Sequence, residues 1–253
     1  MSKSTSWGAH AEWYAEHLAG DDTYHAKVVI PNVIRVVKPQ KGMRILDLAC
    51  GEGIVTRELA SSGATLVGCD IAAELIEKAR AKSGDIGYHV APADELAFAE
   101  PSSFDAVVCV LALQNMERPE SAIDEAARVL KSGGRLVLVL NHPTLRIPKR
   151  SSWGFDEKTG VQYRRLDGYY LPTKEKMLAH PGKGTDGGHT WSYHRPLEVY
   201  AKILFNRGFV ISALEEWISH KTSEKGPRKN AEDKARKEFP MFMMLEATLA
   251  SAR

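Results

Sequence analysis

Short apolar runs alternate with amphipathic stretches from residue 43 to residue 140, which is the pattern of strand–helix units around a parallel β-sheet. The amphipathic stretches carry apolar residues three or four positions apart and end on glycine, as helices commonly do. The apolar runs predict five strands: MRILDL (43–48), ATLVGCD (64–70), IGYHVA (86–91), FDAVVCVLAL (104–113) and RLVLVL (135–140). The sequence therefore predicts an α/β fold with a doubly wound sheet.

Residues 141–193 interrupt this pattern with prolines, glycines, aromatic residues and charges, and with little periodicity. Long irregular segments in compact domains are commonly functional, so we expect a lid. The core then resumes with a helix in PLEVYAKILFNRGF (196–209) and with two strands, FVISALEEW and PMFMMLEATL. Residues 221–238 mix both signs of charge and predict a solvated helix or loop.

The residues before the first strand predict two helices, AHAEWYAEHLA (9–19) and TYHAKVVIPNVIRVV (23–37). Pro31 is expected near the start of the second helix or at a kink in it. These helices predict a cap on the sheet.

The overall charge is nearly balanced, with 34 Lys and Arg against 32 Asp and Glu. A net charge of +2 gives no field that would steer the protein to nucleic acid or membranes. The cysteines Cys50, Cys69 and Cys109 lack Cys-x-x-Cys spacing and are expected to be buried thiols in a reducing cytosol. Without an apolar signal core or a stretch of ~18 apolar residues, the sequence predicts a soluble, cytoplasmic protein.

The segment LDLACGEG (46–53) ends the first strand on Asp47 and then turns through Gly51 and Gly53. Ligands of open parallel sheets bind at the carboxyl ends of the strands, where glycines let the backbone approach closely. A dinucleotide motif G-x-G-x-x-G would need a third glycine at the position of Thr56, and Asp47 would repel a pyrophosphate. A ligand with a cationic ammonium group and no phosphate, such as S-adenosylmethionine, suits this turn better.

Asp70 ends the second strand about twenty residues beyond the turn, where a carboxylate can accept hydrogen bonds from ribose hydroxyls. The alternative is that Asp47 and Asp70 only cap the helices that follow them.

The chain resembles the class I S-adenosylmethionine-dependent methyltransferases over most of residues 43–140. LDLACGEG is similar to their first motif, with Ala49 in place of a frequent glycine, and ADELAF (93–98) is similar to the third. GCDIAAELIEKAR is similar to the second motif, in which Asp70 would hold the ribose and Ile71 would pack on the adenine. FDAVVCVLALQNM resembles the fourth motif, and ARVLKSGGRLVLVL the strand entry after it. The resemblance implies a Rossmann-like seven-stranded sheet in the order 3-2-1-4-5-7-6, with the last strand antiparallel.

The resemblance also implies further cofactor contacts. Pro92 stands where many relatives have an acid that binds the adenine amino group, so the Ala93 backbone and Asp94 are expected to replace it. Leu111 is expected to contact the cofactor, and Gln114 is expected to face the methyl site or the methionine part of the cofactor. A tyrosine of the N-terminal helices, Tyr14 first and Tyr24 second, is expected to cover the methionine end.

The lid is expected to choose the methyl acceptor. His142, just beyond the fifth strand, is the first candidate for a general base, and His194 is the second. The predicted substrate contacts are Arg146, Tyr163, Trp191 and Arg195. The arginines suggest an anionic acceptor, although surface ion pairs would explain them equally well. In HTWSYHR, alternation separates a face with His189, Trp191, Tyr193 and Arg195 from a face with Thr190, Ser192 and His194.

Two classes of partner are not expected. Leu113, Gln114, Asn115 and Met116 replace the Asp/Asn-Pro-Pro-aromatic motif of DNA amino-group methyltransferases, so nucleic-acid bases are not expected as acceptors. The histidines lack the spacing of metal ligands, so no metal is expected.

The sequence thus predicts an S-adenosylmethionine-dependent methyltransferase with S-adenosylhomocysteine as product. The acceptor would be a small aromatic or carboxylate-bearing molecule methylated at oxygen, nitrogen or carbon. We expect a single domain with a helical cap (1–40), a cofactor-binding core (41–140), a lid (141–193) and a C-terminal helix with strands (194–253). The alternatives are an NAD(P)-dependent oxidoreductase and a cofactor-binding protein without turnover.

Overall fold

The computed structural model describes residues 7–8, 12, 20–178 and 188–251. Most of the first predicted helix, including Tyr14, lies outside the described residues.

The described elements follow the alternation expected from the sequence. The strands are β1 (Arg44–Leu48), β2 (Thr65–Asp70), β3 (Gly87–Val90), β4 (Phe104–Val110), β5 (Leu130–Asn141), β6 (Ser151–Asp156), β7 (Val161–Leu166), β8 (Thr173–Leu178), β9 (His189–His194), β10 (Phe209–Trp217) and β11 (Phe242–Leu249). The α-helices are α1 (Ile30–Val37), α2 (Ile54–Ala60), α3 (Ala73–Lys82), α4 (Pro119–Val129), α5 (Leu197–Asn206) and α6 (Lys229–Glu238). A π-helical turn (His25–Val29) leads into α1, and a 3₁₀ turn (Leu113–Asn115) follows β4.

Seven strands form one sheet in the order β10-β11-β5-β4-β1-β2-β3. The pairs from β5 to β3 are parallel, and β11 runs antiparallel to both β5 and β10. Counted along the chain, these strands have the order 3-2-1-4-5-7-6, so the predicted fold class, strand order and antiparallel last strand are confirmed. The strand order reverses between β1 and β4, and ligand crevices lie at the carboxyl ends of such strands.

Apolar side chains cover both faces of the sheet. On β1, Leu46 and Leu48 pack into the cluster on one face, together with residues of α4 and α5. Ile45 packs into the cluster on the other face, with residues of α1 and α2. Because side chains alternate along a strand, Asp47 lies on the same face as Ile45, towards α2.

The segment predicted as a lid (141–193) is less irregular than expected. It forms two antiparallel hairpins, β6–β7 and β8–β9. In the first, Asp156 accepts hydrogen bonds from the backbone of Lys158 and Thr159, and Gly160 adopts φ +66°. The strands alternate between half-buried and exposed residues, but many of the half-buried ones are polar, such as Gln162 and Glu175. An apolar-periodicity criterion misses hairpins of this composition.

Arg128 fixes the segment of the predicted third motif to α4. Its guanidinium donates to the carbonyls of Leu96 and Ala99, each at 2.9 Å, and pairs with Glu125. Glu125 in turn accepts the Leu96 N–H at 2.7 Å. One side chain of α4 therefore holds the chain that follows β3.

Replacing Arg128 by Ala should lower the free energy of unfolding by about 1–2 kcal/mol, because two backbone carbonyls lose a charged donor. Urea unfolding would measure this. The control is Arg118→Ala, which removes a 70% exposed side chain and a 3.4 Å ion pair with Asp94. Its cost should stay below about 0.5 kcal/mol, and equal costs for the two variants would contradict the role given to Arg128.

Candidate functional site

The turn after β1 contains three residues in left-handed conformations. Ala49, Gly51 and Gly53 have φ values of 61°, 58° and 76°. Gly53 begins α2, and a Cβ there would clash with the hydroxyl of Tyr88. The glycine is thus required both by its backbone angle and by the close approach of β3.

Asp47 is a buried acid beneath this turn, with 1% of its surface exposed. The hydroxyl of Thr56, on the first turn of α2, donates to its carboxylate at 2.7 Å. Burial raises the pKa of Asp47 to about 7; nearby Asp70 adds to this increase, and the Thr56 hydrogen bond opposes it. A cationic ligand would therefore stabilise the ionised form.

Asp70 ends β2 beside the same turn and is 8% exposed. Its two oxygens accept the backbone N–H groups of Gly51 and Ala72, both at 2.9 Å. The hydrogen bond to Ala72 is a capping contact, as expected if Asp70 only caps the helix that follows it. The hydrogen bond to Gly51 also ties Asp70 to the turn after β1. Each carboxylate oxygen has a second lone pair for a ligand hydroxyl.

A second strained position follows β4, the neighbour of β1. Leu111 has φ 53°, and its N–H donates to Val139 at 2.7 Å. Its carbonyl accepts the side-chain amide of Gln114 at 2.7 Å. Gln114 is 7% exposed, and its Oε1 has no hydrogen-bond partner in the described part of the chain. A buried amide oxygen thus remains for a ligand donor.

A small cavity lies against the turn, and His25 of the π-helical turn contributes to its wall. The lining also includes Asp47, Ala49, Cys50, Gly51, Glu52 and Val110. Tyr24 was predicted to cover the methionine end of the cofactor, and that contact stays a prediction. Its hydroxyl hydrogen-bonds to Ser219 at 3.1 Å, and its ring contacts His220 and Phe242. His25 was missed, since a π-helical turn leaves no signal in the sequence.

The other predicted cofactor residues follow β2 and β3. Ile71, Ala93 and Asp94 are all half-buried. Ala93 packs against the core, and Asp94 forms the ion pair with Arg118. The structure places them at the carboxyl edge of the sheet, and their contacts with adenine stay a prediction.

His142 has partners on both ring nitrogens. Its Nδ1 accepts the backbone N–H groups of Thr144 and Leu145, at 3.2 and 3.1 Å. The proton therefore sits on Nε2, which donates to Glu216 at 2.6 Å. This arrangement disfavours His142 as the general base and makes it an anchor of the chain entering the lid.

His194 is hydrogen-bonded through one ring nitrogen. Its Nε2 donates to the carbonyl of Tyr169 at 2.6 Å, and burial lowers its pKa. Arg195 follows it and donates from Nη2 to the carbonyls of Met116 and Glu117, both at 2.8 Å. Its buried Nη1 has no partner among the residues that the structure describes. The end of β9 is thereby tied to the chain just after Gln114.

Tyr163 and Trp191 are not brought together. They lie on separate hairpins and are 47% and 43% exposed. Tyr163 packs over Gly154 of its own hairpin, and Lys174 lies over the Trp191 ring at 4.8 Å. On β9 the buried residues are Thr190 and His194, so the predicted face with Trp191 is the more exposed one.

A second cavity adjoins the carboxyl end of β5. Arg146 lies in its wall, over the Phe242 ring at 5.6 Å, and donates to Asn141 at 2.5 Å. Further lining residues are Tyr24, Trp153, Arg164, Arg236 and Phe239.

The described residues contain no group of three or more His, Cys, Asp or Glu side chains arranged to hold a metal ion. No helix among them is long and apolar enough to cross a membrane.

Comparison with known proteins identifies the family of residues 46–138. Residues 46–138 match the family model described as a methyltransferase domain. An S-adenosylmethionine-dependent methyltransferase from Mesorhizobium loti has a similar structure, with a TM-score of 0.68 and 25% identity, covering 90% of this chain and 99% of that one. Residues 46–138 form a class I S-adenosylmethionine-dependent methyltransferase domain. The resemblance given by the motifs is thereby confirmed.

Two curated relatives each match less than half of this chain. A ubiquinone biosynthesis O-methyltransferase from Xylella fastidiosa is 36% identical over 111 residues, which cover 42% of this chain and 45% of the relative. A demethylmenaquinone methyltransferase from Clavibacter sepedonicus is 42% identical over 107 residues, covering 41% and 43%. The chain spans less than half the length of these relatives.

The pKa of Asp47 in the methyltransferase domain gives a stability test. Folding raises this pKa from 3.8 to about 7, so between these values the folded chain binds more protons than the unfolded chain. The contribution of Asp47 to stability should therefore fall as the pH rises from about 4 to about 7, by up to about 1.4 kcal/mol per unit, and then level off.

The variant Asp47→Asn lacks this titration. Without ligand, the free energy of unfolding of the variant minus that of the wild type should be larger at pH 7.5 than at pH 5, as measured by urea unfolding. A difference that is the same at both pH values would contradict the raised pKa.

Proposed function

We propose that this protein binds S-adenosylmethionine at the carboxyl ends of β1, β2 and β4 and transfers its methyl group to a small-molecule acceptor beneath the lid. The single observation that carries the proposal is the pair of buried acids, Asp47 and Asp70, around a left-handed glycine turn at the point where the strand order reverses.

The residues present fit this cofactor group by group. Asp70 would accept hydrogen bonds from the ribose hydroxyls with its remaining lone pairs. Asp47 and the unpartnered Gln114 Oε1 supply acceptor oxygens for the ammonium group of the methionine end. The turn at Gly51 and Gly53 gives the ligand backbone contact without side chains in the way. A dinucleotide would bring a pyrophosphate towards two carboxylates, which disfavours an oxidoreductase.

The chain's own part in methyl transfer is mainly alignment and exclusion of water. The cofactor supplies an activated methyl group with its leaving group already attached. The acceptor must then be held in line with it. Two lid ties serve this purpose: His142 fixes the entrance of the lid to β10 through Glu216, and Arg195 fixes the end of β9 to the chain after β4.

A general base is required only for some acceptors. A carboxylate acceptor needs none, whereas a hydroxyl acceptor does. For a hydroxyl, His194 is the candidate that the geometry favours over His142, since it is held neutral by burial and uses only Nε2 in the hydrogen bond to Tyr169.

Replacing Asp70 by Ala should weaken the binding of S-adenosylhomocysteine by more than about tenfold, because the ribose loses its acceptor and Gly51 loses a tie to β2. Isothermal titration calorimetry would measure the affinity. The control is Asp85→Ala, which removes an exposed acid from the loop before β3 and should leave the affinity unchanged. Unchanged binding in Asp70→Ala would remove this residue from the cofactor site.

A further inference from the structure

The second cavity lies beside the proposed donor site. Tyr24 lines the second cavity and the adjacent His25 lines the cavity at the glycine turn, so two consecutive residues at the start of the π-helical turn border the two cavities. Arg146 is bonded to Asn141, the last residue of β5. β5 lies two strand spacings, or roughly 10 Å, from β1 in the sheet. A molecule in this cavity is therefore within reach of the carboxyl end of β1.

Two arginines in the cavity wall carry charge that no carboxylate balances. The guanidinium of Arg146 bonds to the neutral amide of Asn141. Arg164 donates to the carbonyl of Leu145 at 2.9 Å and to the hydroxyl of Ser151 at 2.8 Å. Neither forms an ion pair with a carboxylate in the described ranges. No carboxylate contributes to the pKa shift of either arginine. Burial lowers the pKa of both groups, and Arg164 lowers that of Arg146 further, so the two cations lie near each other.

This arrangement contrasts with arginines elsewhere in the fold. Arg128, Arg135 and Arg207 each meet a carboxylate within 2.6 to 2.8 Å. The third arginine of the cavity, Arg236, lies near Asp233 and bonds to Ser223. Arg146 and Arg164 are half-buried. A cation partly removed from water without a counter-charge is unfavourable, and an anionic ligand would lower that cost.

The remaining wall of the cavity is aromatic. Trp153 meets Phe239 edge to face at 5.4 Å between ring centres, and Arg164 lies over Trp153 at 5.0 Å. The hydroxyl of Tyr24 is held by Ser219 on another side. The cavity is partly open to solvent, and an aromatic wall of this kind packs well against a planar ring.

We propose that this cavity recognises the methyl acceptor as an aromatic carboxylate. The carboxylate lies between Arg146 and Arg164, which offer a planar fork of donors, and the ring packs against the aromatic wall formed by Trp153 and Phe239. The identification of this ligand as the acceptor rests on the proposed function, whereas the binding site itself does not.

The test compares acids with their neutral isosteres on the protein loaded with S-adenosylhomocysteine. The probes are benzoate and 2-naphthoate, each against its amide, with phenyl phosphate and inorganic phosphate as further arms; ligand-observed NMR titration gives the affinities. The acids should bind about tenfold more tightly than the amides. Acids that bind no better than their amides would overturn the proposal, as would inorganic phosphate or phenyl phosphate binding more tightly than either acid.

Variants locate the effect. Arg164→Gln and, independently, Arg146→Gln should abolish the preference for the acids. The matched control is Arg165→Gln, the next residue on β7, which is 67% exposed and paired with Asp167. It should keep the full preference. A preference retained in both cavity variants would overturn the site, and a thermal melt of each variant identifies one that fails to fold.

The same samples separate this proposal from the proposed function. S-adenosylhomocysteine should bind equally to the wild type and all three variants. If it binds but the acids show no preference, the acceptor site is wrong and the cofactor site stands. If the acids show the preference while S-adenosylhomocysteine does not bind, the anion site stands and the proposed function fails.

Discussion

The hydrogen bond from Thr56 to Asp47 joins the first strand to the first helix, and the rest of the site is arranged around it. It holds a carboxylate where burial disfavours its charge, so the folded chain carries this acid at a cost in stability. Glycines let the turn above it close, and Tyr88 of β3 packs against one of them. Asp70 completes the structure by accepting an N–H from the same turn. Buried groups that cost stability are found at functional sites more often than elsewhere.

Charge is separated along the carboxyl edge of the sheet. Buried acids lie at the ends of β1 and β2, and Arg146 and Arg164, which form no ion pair with a carboxylate in the described ranges, lie beside β5. A cationic methyl donor is complementary to the first region and an anionic acceptor to the second. When a sulfonium transfers its methyl group to a carboxylate or to a deprotonated hydroxyl, the positive charge of the donor and the negative charge of the acceptor are neutralised. A water-poor site that holds donor and acceptor in separate regions until they are aligned favours this reaction.

Periodicity and strand-end residues carried most of the sequence prediction. The five central strands, the helices between them and the placing of Asp47 and Asp70 at strand ends depend on local patterns that the sequence displays directly. The lid hairpins were not predicted because their half-buried residues are largely polar. His25 was not predicted because a π-helical turn shifts which residue faces the sheet. His142 was placed at the correct strand end, but its backbone and Glu216 partners come from contacts that spacing does not reveal. Likewise, nothing local distinguishes Arg164 from Arg165, although only the former lines the cavity.

The acidic glycine turn should bind an adenosyl sulfur compound rather than a dinucleotide. Thermal unfolding of the wild-type protein with S-adenosylhomocysteine, S-adenosylmethionine or NAD tests it most directly. At a concentration of about 100 times the dissociation constant, a ligand adds roughly 2.7 kcal/mol to stability, which for a chain of this size raises the melting temperature by roughly 5–10 °C. The two adenosyl sulfur compounds should raise the melting temperature by this amount, and NAD should leave it unchanged. A rise with NAD alone, or no rise with any of the three, would contradict it.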